Sequence, residues 1–276
     1  MSAGGIDVPG DLHVPADWEA AAARLRAASR ILVLGPADAG KSSFCRYALS
    51  LLPGARLVDA DPGQKSVGPP ACVTSGQIED GRLLEGPLAF AGSTDPVRGW
   101  QALAAGVRAL ADAAPGPVIV NTGGLLAGPG PRLKADKIAA AQADLLVAIG
   151  AHPGIEAVLA DHTALASLRL ASSTLARRKT DGERRQARRE AFARSFAAAS
   201  EWTVSPEGLL PDGAVLHPRQ LVGLAGDAGD LGIGILTQVA ADAVTVLGTA
   251  GPAGVRHIRP GLLLLDRDFR ESALPR

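Results

Sequence analysis

The chain has 276 residues, with 28 basic and 28 acidic side chains and a formal net charge of zero. Apolar residues make up 47% and aromatics only 3%. These values exclude a disordered chain and a uniformly basic nucleic-acid coat, and the length suffices for a large domain with a sizeable core. With so few aromatic rings, the core is expected from Leu, Val, Ile and Ala.

The pass along the chain predicts a loose lead-in over 1–16. A helix to about Ser29 follows, opened by Asp17 as N-cap. Ile31-Leu-Val-Leu is a short apolar run and reads as a buried strand. A Gly-rich turn and a helix from about Lys41 to Leu52 come next, then a strand over Arg56-Leu-Val-Asp-Ala-Asp. Val73-Thr-Ser and Arg82-Leu-Leu flank the turn signal Glu79-Asp-Gly and predict a hairpin. Leu88-Ala-Phe-Ala reads as a further strand, Pro96 to Ala114 as a helix, Pro117-Val-Ile-Val-Asn as a strand, 133–143 as a helix and Leu145-Leu-Val-Ala-Ile as a strand. Strands alternating with helices predict an α/β fold with a doubly wound, mostly parallel sheet. After about residue 206, short apolar segments are separated by Gly, Pro and Asp, which predicts a small β-rich module over 207–276.

Cys45 and Cys72 form no CxxC pair, and the five histidines lack metal-ligand spacing, which argues against a disulfide framework or a zinc cluster. The N-terminus has no basic region followed by an apolar run, and no uncharged apolar stretch reaches about 18 residues. A soluble cytoplasmic protein with no membrane partner is the expectation.

The strongest motif is Gly35-Pro-Ala-Asp-Ala-Gly40-Lys41-Ser42, which fits GxxxxGK[ST] between a strand and a helix. The glycines let the loop turn its N–H groups toward phosphate oxygens, and the helix start adds its positive dipole end. Lys41 is expected to neutralise the β- and γ-phosphates and Ser42 to ligate Mg²⁺. Gly35, Asp38, Ala39, Gly40, Lys41, Ser42 and Ser43 form the candidate ATP-binding set. The sole asparagine, Asn121, precedes Thr122, so the N-K-x-D guanine motif of GTPases is missing.

Asp59-Ala-Asp61-Pro-Gly-Gln64 follows the second strand. Together with the phosphate loop it resembles the polynucleotide 5′-hydroxyl kinase family, which includes the kinase subunit of the messenger-RNA cleavage complex and kinases of ribosomal-RNA processing. Val14-Pro-Ala-Asp-Trp18 looks like the family's entry segment, and Asn121-Thr122-Gly-Gly124 lies at its Asn-Thr-x-Gly strand end. Leu221-Val-Gly-Leu through Gly232-Ile-Gly is similar to its C-terminal β module. The resemblance implies that Asp61 acts as general base on the 5′-hydroxyl or orders the metal. It places Gln64 beside metal and acceptor, Thr122 and Gly124 at the acceptor, and Asp59 behind Asp61. The family's Thr-x-Gly-Trp clasp departs here to Thr122-Gly-Gly124-Leu125, which removes a base-stacking ring, with Trp100 a possible substitute or a buried helix residue.

Residues 177–194 hold eight basic and three acidic side chains, against 20 basic and 25 acidic in the rest. Asp181 is read as the N-cap of a helix over 183–199, in which Arg184 and Arg188 share a face and Phe192 and Phe196 pack down. The segment, about 177–199, is similar to the family's lid. Arg178 or Arg177, Arg184 and Arg188 are the candidate lid arginines, expected to neutralise the transferring phosphoryl group.

The sequence therefore predicts a P-loop kinase domain over 1–206 with a lid, joined to a β module. The expected activity is ATP- and Mg²⁺-dependent transfer of the γ-phosphate to the 5′-hydroxyl of RNA or DNA. Two other readings stay open: an ATP-bound scaffold in an RNA-processing assembly, and a P-loop kinase with a small-molecule acceptor.

Overall fold

The computed structural model describes residues 6–7, 13–211, 213–240 and 242–275. Most of the expected lead-in, 1–5 and 8–12, lies outside them. In chain order the elements are β1 (Ile6–Asp7), α1 (Ala16–Ala20), α2 (Ala22–Ala27), β2 (Arg30–Leu34), α3 (Lys41–Leu51), β3 (Arg56–Ala60), β4 (Cys72–Glu79), β5 (Arg82–Phe90), α4 (Trp100–Asp112) and β6 (Val118–Thr122). They continue with α5 (Gly130–Ala141), β7 (Leu145–Ile149), α6 (Pro153–Asp161), β8 (Ala166–Leu170), α7 (Asp181–Phe196), β9 (Ser200–Val204), β10 (Gln220–Gly226), β11 (Gly229–Val239), β12 (Val244–Gly248), β13 (His257–Leu265) and β14 (Glu271–Ala273).

The parallel part of the sheet has the order β3-β6-β2-β7-β8. Its central strands β6, β2 and β7 are buried almost throughout because both faces are covered. Along β2 the side chains alternate between two cores. Ile31 and Val33 join Trp18, Leu25, Phe44 and Ala48 on one face. Leu32 and Leu34 join Leu103, Val107, Ile138 and Val158 on the other. Helices on both faces of a parallel sheet are the doubly wound α/β arrangement that the alternation predicts. Among the described residues no helix is long and apolar enough to cross a membrane.

β4 and β5 pair antiparallel across a turn in which Asp80 and Gly81 both have positive φ, 49° and 74°. That conformation matches the twist of a two-residue hairpin and suits an Asp-Gly pair. β5 is one strand through Phe90, so the two strands expected at 82 and 88 are continuous. β5 meets β11 at a single register pair, Leu88 opposite Asp230. The Phe90 N–H also donates to Asp230 Oδ2 at 2.7 Å, and the Leu262 N–H to the Gly92 carbonyl at 2.7 Å. Through these contacts β10–β14 continue the sheet. β9 pairs with β12, so that part of the sheet takes a strand from before residue 207.

Other differences are local. The helix expected from Asp17 to Ser29 is two short helices, and Pro15 occupies the N-cap position. Asp17 is instead drawn to the loop after β8, where its Oδ2 accepts the Ala171 N–H at 2.5 Å. α7 begins two residues earlier than the expected 183–199 and ends three residues earlier. Thr180, not Asp181, is its N-cap, and Thr180 and Glu183 form a reciprocal capping box.

Candidate active site

The site lies at the carboxyl ends of β2, β3 and β6, beside the β2–α3 turn. Ligands of open parallel sheets bind at such strand ends. Two glycines shape the turn. Gly40 caps α3 with φ of 93°, a conformation that costs a side-chain-bearing residue strain. A Cβ at Gly35 would stand 2.8 Å from the Ile149 carbonyl oxygen, so β7 leaves room only for glycine. Ala39 is buried, and Ser42 and Ser43 are half-buried in the first turn of α3. Lys41 is buried and its Nζ donates to the Pro36 carbonyl at 2.7 Å. Burial holds its ammonium below the usual lysine range, against the opposing pull of Asp61.

β3 delivers Asp59 and Asp61. Asp61 Oδ1 accepts the N–H groups of Gly63 and Gln64, both at 3.0 Å, so the carboxylate is fixed by its own loop. Asp59 is fully buried behind it. Its Oδ1 accepts from Asn121 Nδ2 at 3.0 Å and from the Asp61 N–H at 3.3 Å. Its Oδ2 accepts the Ser66 N–H at 2.5 Å and lies 3.8 Å from Lys65 Nζ. Burial raises the Asp59 carboxyl above its ordinary range, and the Lys65 charge opposes this. Asp59 therefore stands behind Asp61, bonded to its N–H and to Asn121.

β6 brings the Asn121–Gly124 turn between the phosphate loop and Asp61. A Cβ at Gly123 would sit 3.3 Å from Asp61 Oδ2, and one at Gly124 would sit 2.4 Å from the Ala37 nitrogen. The backbone of the turn therefore presses against both loops. Thr122 is buried with its Oγ1 donating to the Val33 carbonyl at 2.7 Å. Its hydroxyl thus bonds strand β2. Leu125 is half-buried. Trp100 is half-buried rather than enclosed. Its Nε1 donates to Asp136 Oδ2 at 2.5 Å, and the Arg132 guanidinium lies 6.0 Å from the ring centroid.

The start of α7 reaches both loops. Arg184 contacts Asp38 Oδ2 at 2.5 Å, and the same oxygen accepts the Lys179 N–H at 2.9 Å. Gln64 Nε2 donates to the Arg184 carbonyl at 3.2 Å. Gln64 and Asp38 thus brace the first turn of α7 from two sides. The other lid arginines go elsewhere. Arg188 Nε donates to Glu271 Oε2 at 2.7 Å on β14, Arg177 pairs with Glu183 at 2.6 Å, and Arg178 is exposed. Phe192 and Phe196 pack inward with Leu221 and Ile233.

Sequence reasoning missed two residues. Lys134 and Lys137 on α5 are fully buried beside the site. The available signal was their place on the helix: they fall between Leu133 and Ile138 on the inward stripe, where a cation needs a reason.

A metal's donor set fits in kind. The Ser42 hydroxyl and the Asp61 carboxylate are hard oxygen donors beside the phosphate loop, and Mg²⁺ at such sites takes one or two protein oxygens besides phosphate and water.

The family model for the mRNA cleavage and polyadenylation factor CLP1 P-loop matches residues 35–198. The polyribonucleotide 5′-hydroxyl-kinase of Pyrococcus horikoshii is 28% identical over 219 residues, 75% of this chain and 60% of the relative. That of Pyrococcus furiosus is 30% identical over 221 residues, 74% of this chain and 61% of the relative. The chain therefore spans about three fifths of the length of these curated relatives. Among solved structures, the wild-type Clp1p–Pcf11p complex superposes with a TM-score of 0.64 at 12% identity, covering 84% of this chain and 73% of that one. That likeness is one of fold. The matched segment runs from the first glycine of the phosphate loop to just past α7, and the chain belongs to the CLP1 P-loop family.

Proposed function

We propose that this chain is an ATP- and Mg²⁺-dependent polynucleotide 5′-hydroxyl kinase. The observation that carries the reading is the convergence of the phosphate loop, Asp61 and Arg184 at one end of the parallel strands, braced by Gln64 and Asp38. The names of the relatives support the same acceptor.

In this reading the N–H groups from Gly35 to Ser43 and the Lys41 ammonium bind the ATP phosphates, and Ser42, Asp61 and Gln64 surround Mg²⁺. The metal, when bound, would neutralise charge on the phosphate oxygens. Asp61 takes the proton of the attacking 5′-hydroxyl. Gln64, Thr122 and Gly124 line the acceptor side, with Thr122 contributing backbone. Arg184, aided by Arg178 and Arg188 as the lid shifts, neutralises the transferring group. The acceptor is the 5′ end of RNA or DNA, and the site of action is the cytoplasm.

Transfer of labelled γ-phosphate to 5′-hydroxyl RNA and DNA oligonucleotides, run side by side, tests this. Wild type should label at least one of them, and Asp61→Ala should label neither while still binding ATP. Labelling by Asp61→Ala at the wild-type rate would overturn the assignment. A second reading, an ATP-bound scaffold, is favoured by Leu125 at the position of the family's stacking ring. It predicts ATP binding without transfer to either oligonucleotide.

A further inference from the structure

Lys134 and Lys137 stand three residues apart on α5 and are 0% and 1% exposed. Spacing of three residues puts both on one helix face. Their ammonium groups end on carbonyls. Lys134 Nζ donates to Gly123, and Lys137 Nζ donates to Ala60 at 2.6 Å. Ala60 is the residue before Asp61, and Gly123 is the glycine whose Cβ position lies against Asp61 Oδ2. The two lysines therefore grip the chain on either side of one carboxylate.

Burying a cation is costly, and a helix face that must pack against a sheet tolerates one only where it has a task. Burial lowers both ammonium groups, Lys137 to about 8, with the Asp61 charge opposing the shift in each. Lys41 also acts on Lys134. The Asp61 charge thus acts on all three ammonium groups, one from the phosphate loop and two from α5. Apolar packing of α5 on the sheet would be served as well by Leu or Met at both positions.

We propose that Lys134 and Lys137 are positioning residues for phosphoryl transfer, holding Asp61 and the Gly123–Gly124 turn at the spacing the reaction needs by clamping the carbonyls of Gly123 and Ala60. This rests on the kinase reading above. Displacement of a reacting group by about 1 Å costs on the order of 100-fold in rate. Binding of ATP runs through the phosphate loop, to which neither ammonium is hydrogen-bonded.

Lys137→Met and Lys134→Met keep side-chain volume and remove the charge. The full chain carrying each is assayed for kcat in transfer to a 5′-hydroxyl oligonucleotide, for the KM of ATP, and for thermal melting. The expected result is a kcat about 10- to 100-fold lower, a KM for ATP within about threefold of wild type, and an unchanged or raised melting temperature. A kcat within about twofold of wild type in both variants would overturn the proposal while leaving the kinase reading intact. So would a parallel loss of ATP binding, or failure of both variants to fold, because either marks a structural role. If only Lys137→Met fails to fold, the split between kcat and KM in Lys134→Met decides. Absence of transfer by wild type would overturn the kinase reading, and this inference with it.

Discussion

The Arg184 guanidinium lies 2.5 Å from Asp38 Oδ2, so α7 is tied directly to the phosphate loop. Both side chains are largely shielded, at 21% and 12% exposure, which makes the contact stronger than a surface pair. The same carboxylate oxygen holds the Lys179 N–H, so one aspartate orders the approach to α7 as well as its first turn. Asp38→Ala should therefore free the segment before α7. Tryptic cleavage after Arg177 and Arg178 should accelerate several-fold, read by limited proteolysis, because local opening governs access. Unchanged cleavage would mean that Gln64 and the capping box alone hold the lid.

Arg184 and Arg188 share a helix face but not a partner. Arg184 meets the phosphate loop, whereas Arg188 meets Glu271 on β14. On the kinase reading proposed above, Arg184→Ala should reduce kcat by about 1000-fold, the order of magnitude that an arginine neutralising a transferring phosphoryl contributes. Arg184→Lys should not restore it, because the ammonium lacks the planar fork. Arg188→Ala should reduce kcat less and should destabilise the contact of α7 with the β13–β14 turn. Equal kcat losses in the two variants would contradict this division.

Gly124 packs against Ala37 more closely than any side chain permits, with a Cβ position only 2.4 Å from the Ala37 nitrogen. The clash is with backbone, so a rotamer change cannot relieve it. Gly124→Ala should push the phosphate loop away from its position and weaken ATP binding by about 10-fold, a loss of about 1.4 kcal/mol. Titration calorimetry with ATP measures it. Gly128→Ala is the control: a Cβ there meets nothing within 4 Å, and although its φ of 54° strains the backbone locally, ATP binding should not change.

Asp59 and Lys65 form a nearly inaccessible pair, with 0% and 2% side-chain exposure. Lys65 Nζ also donates to the carbonyls of Asp59 and Cys72, at 2.7 and 3.1 Å. Removing the carboxylate leaves the Asn121 amide and the Ser66 N–H without their acceptor and Lys65 without its counter-charge. Asp59→Ala should cost about 3–5 kcal/mol in urea unfolding. Asp59→Asn keeps an acceptor and should cost less. A loss below about 1 kcal/mol for the alanine variant would show that the loop rearranges to satisfy these groups.

The parallel half of the fold was legible because its strands are short apolar runs between turn residues, as in Ile31-Leu-Val-Leu. The phosphate loop was legible because its chemistry fixes residue type and spacing together. Asp61 and the Thr122–Gly124 turn needed the family resemblance, since an aspartate at a strand end is a common turn former. α6 and β8 were not read. Pro153-Gly-Ile opens α6 with weak helix formers, and Ala166–Leu170 alternates weakly because it is an edge strand with exposed positions. The partners of the lid arginines could not be read at all. Asp38 lies 146 residues from Arg184, and Glu271 lies 83 from Arg188, so only the folded sheet brings them together.

The first turn of α7 is closed by a carboxylate, so its order is expected to change with pH. Thr180 Oγ1 accepts the Glu183 N–H at 3.2 Å, and Glu183 Oε2 accepts the Thr180 N–H at 2.7 Å. The Arg177 side chain, followed by the Thr180 N–H, lowers the Glu183 carboxyl from 4.5 to about 2. A carboxyl with a depressed folded value adds stability that is complete above its unfolded value and is lost as pH falls through the folded one. Amide protection of Glu183 and Arg184 in hydrogen exchange should therefore hold above about pH 4.5 and decline toward pH 2. Glu183→Gln should abolish the decline, and salt should reduce it because the groups are solvent-exposed. Thr180→Ala should lower protection at neutral pH by about 1 kcal/mol, the usual worth of an N-cap hydroxyl. Identical acid profiles for wild type and Glu183→Gln would show that the capping box contributes nothing to the order of the lid.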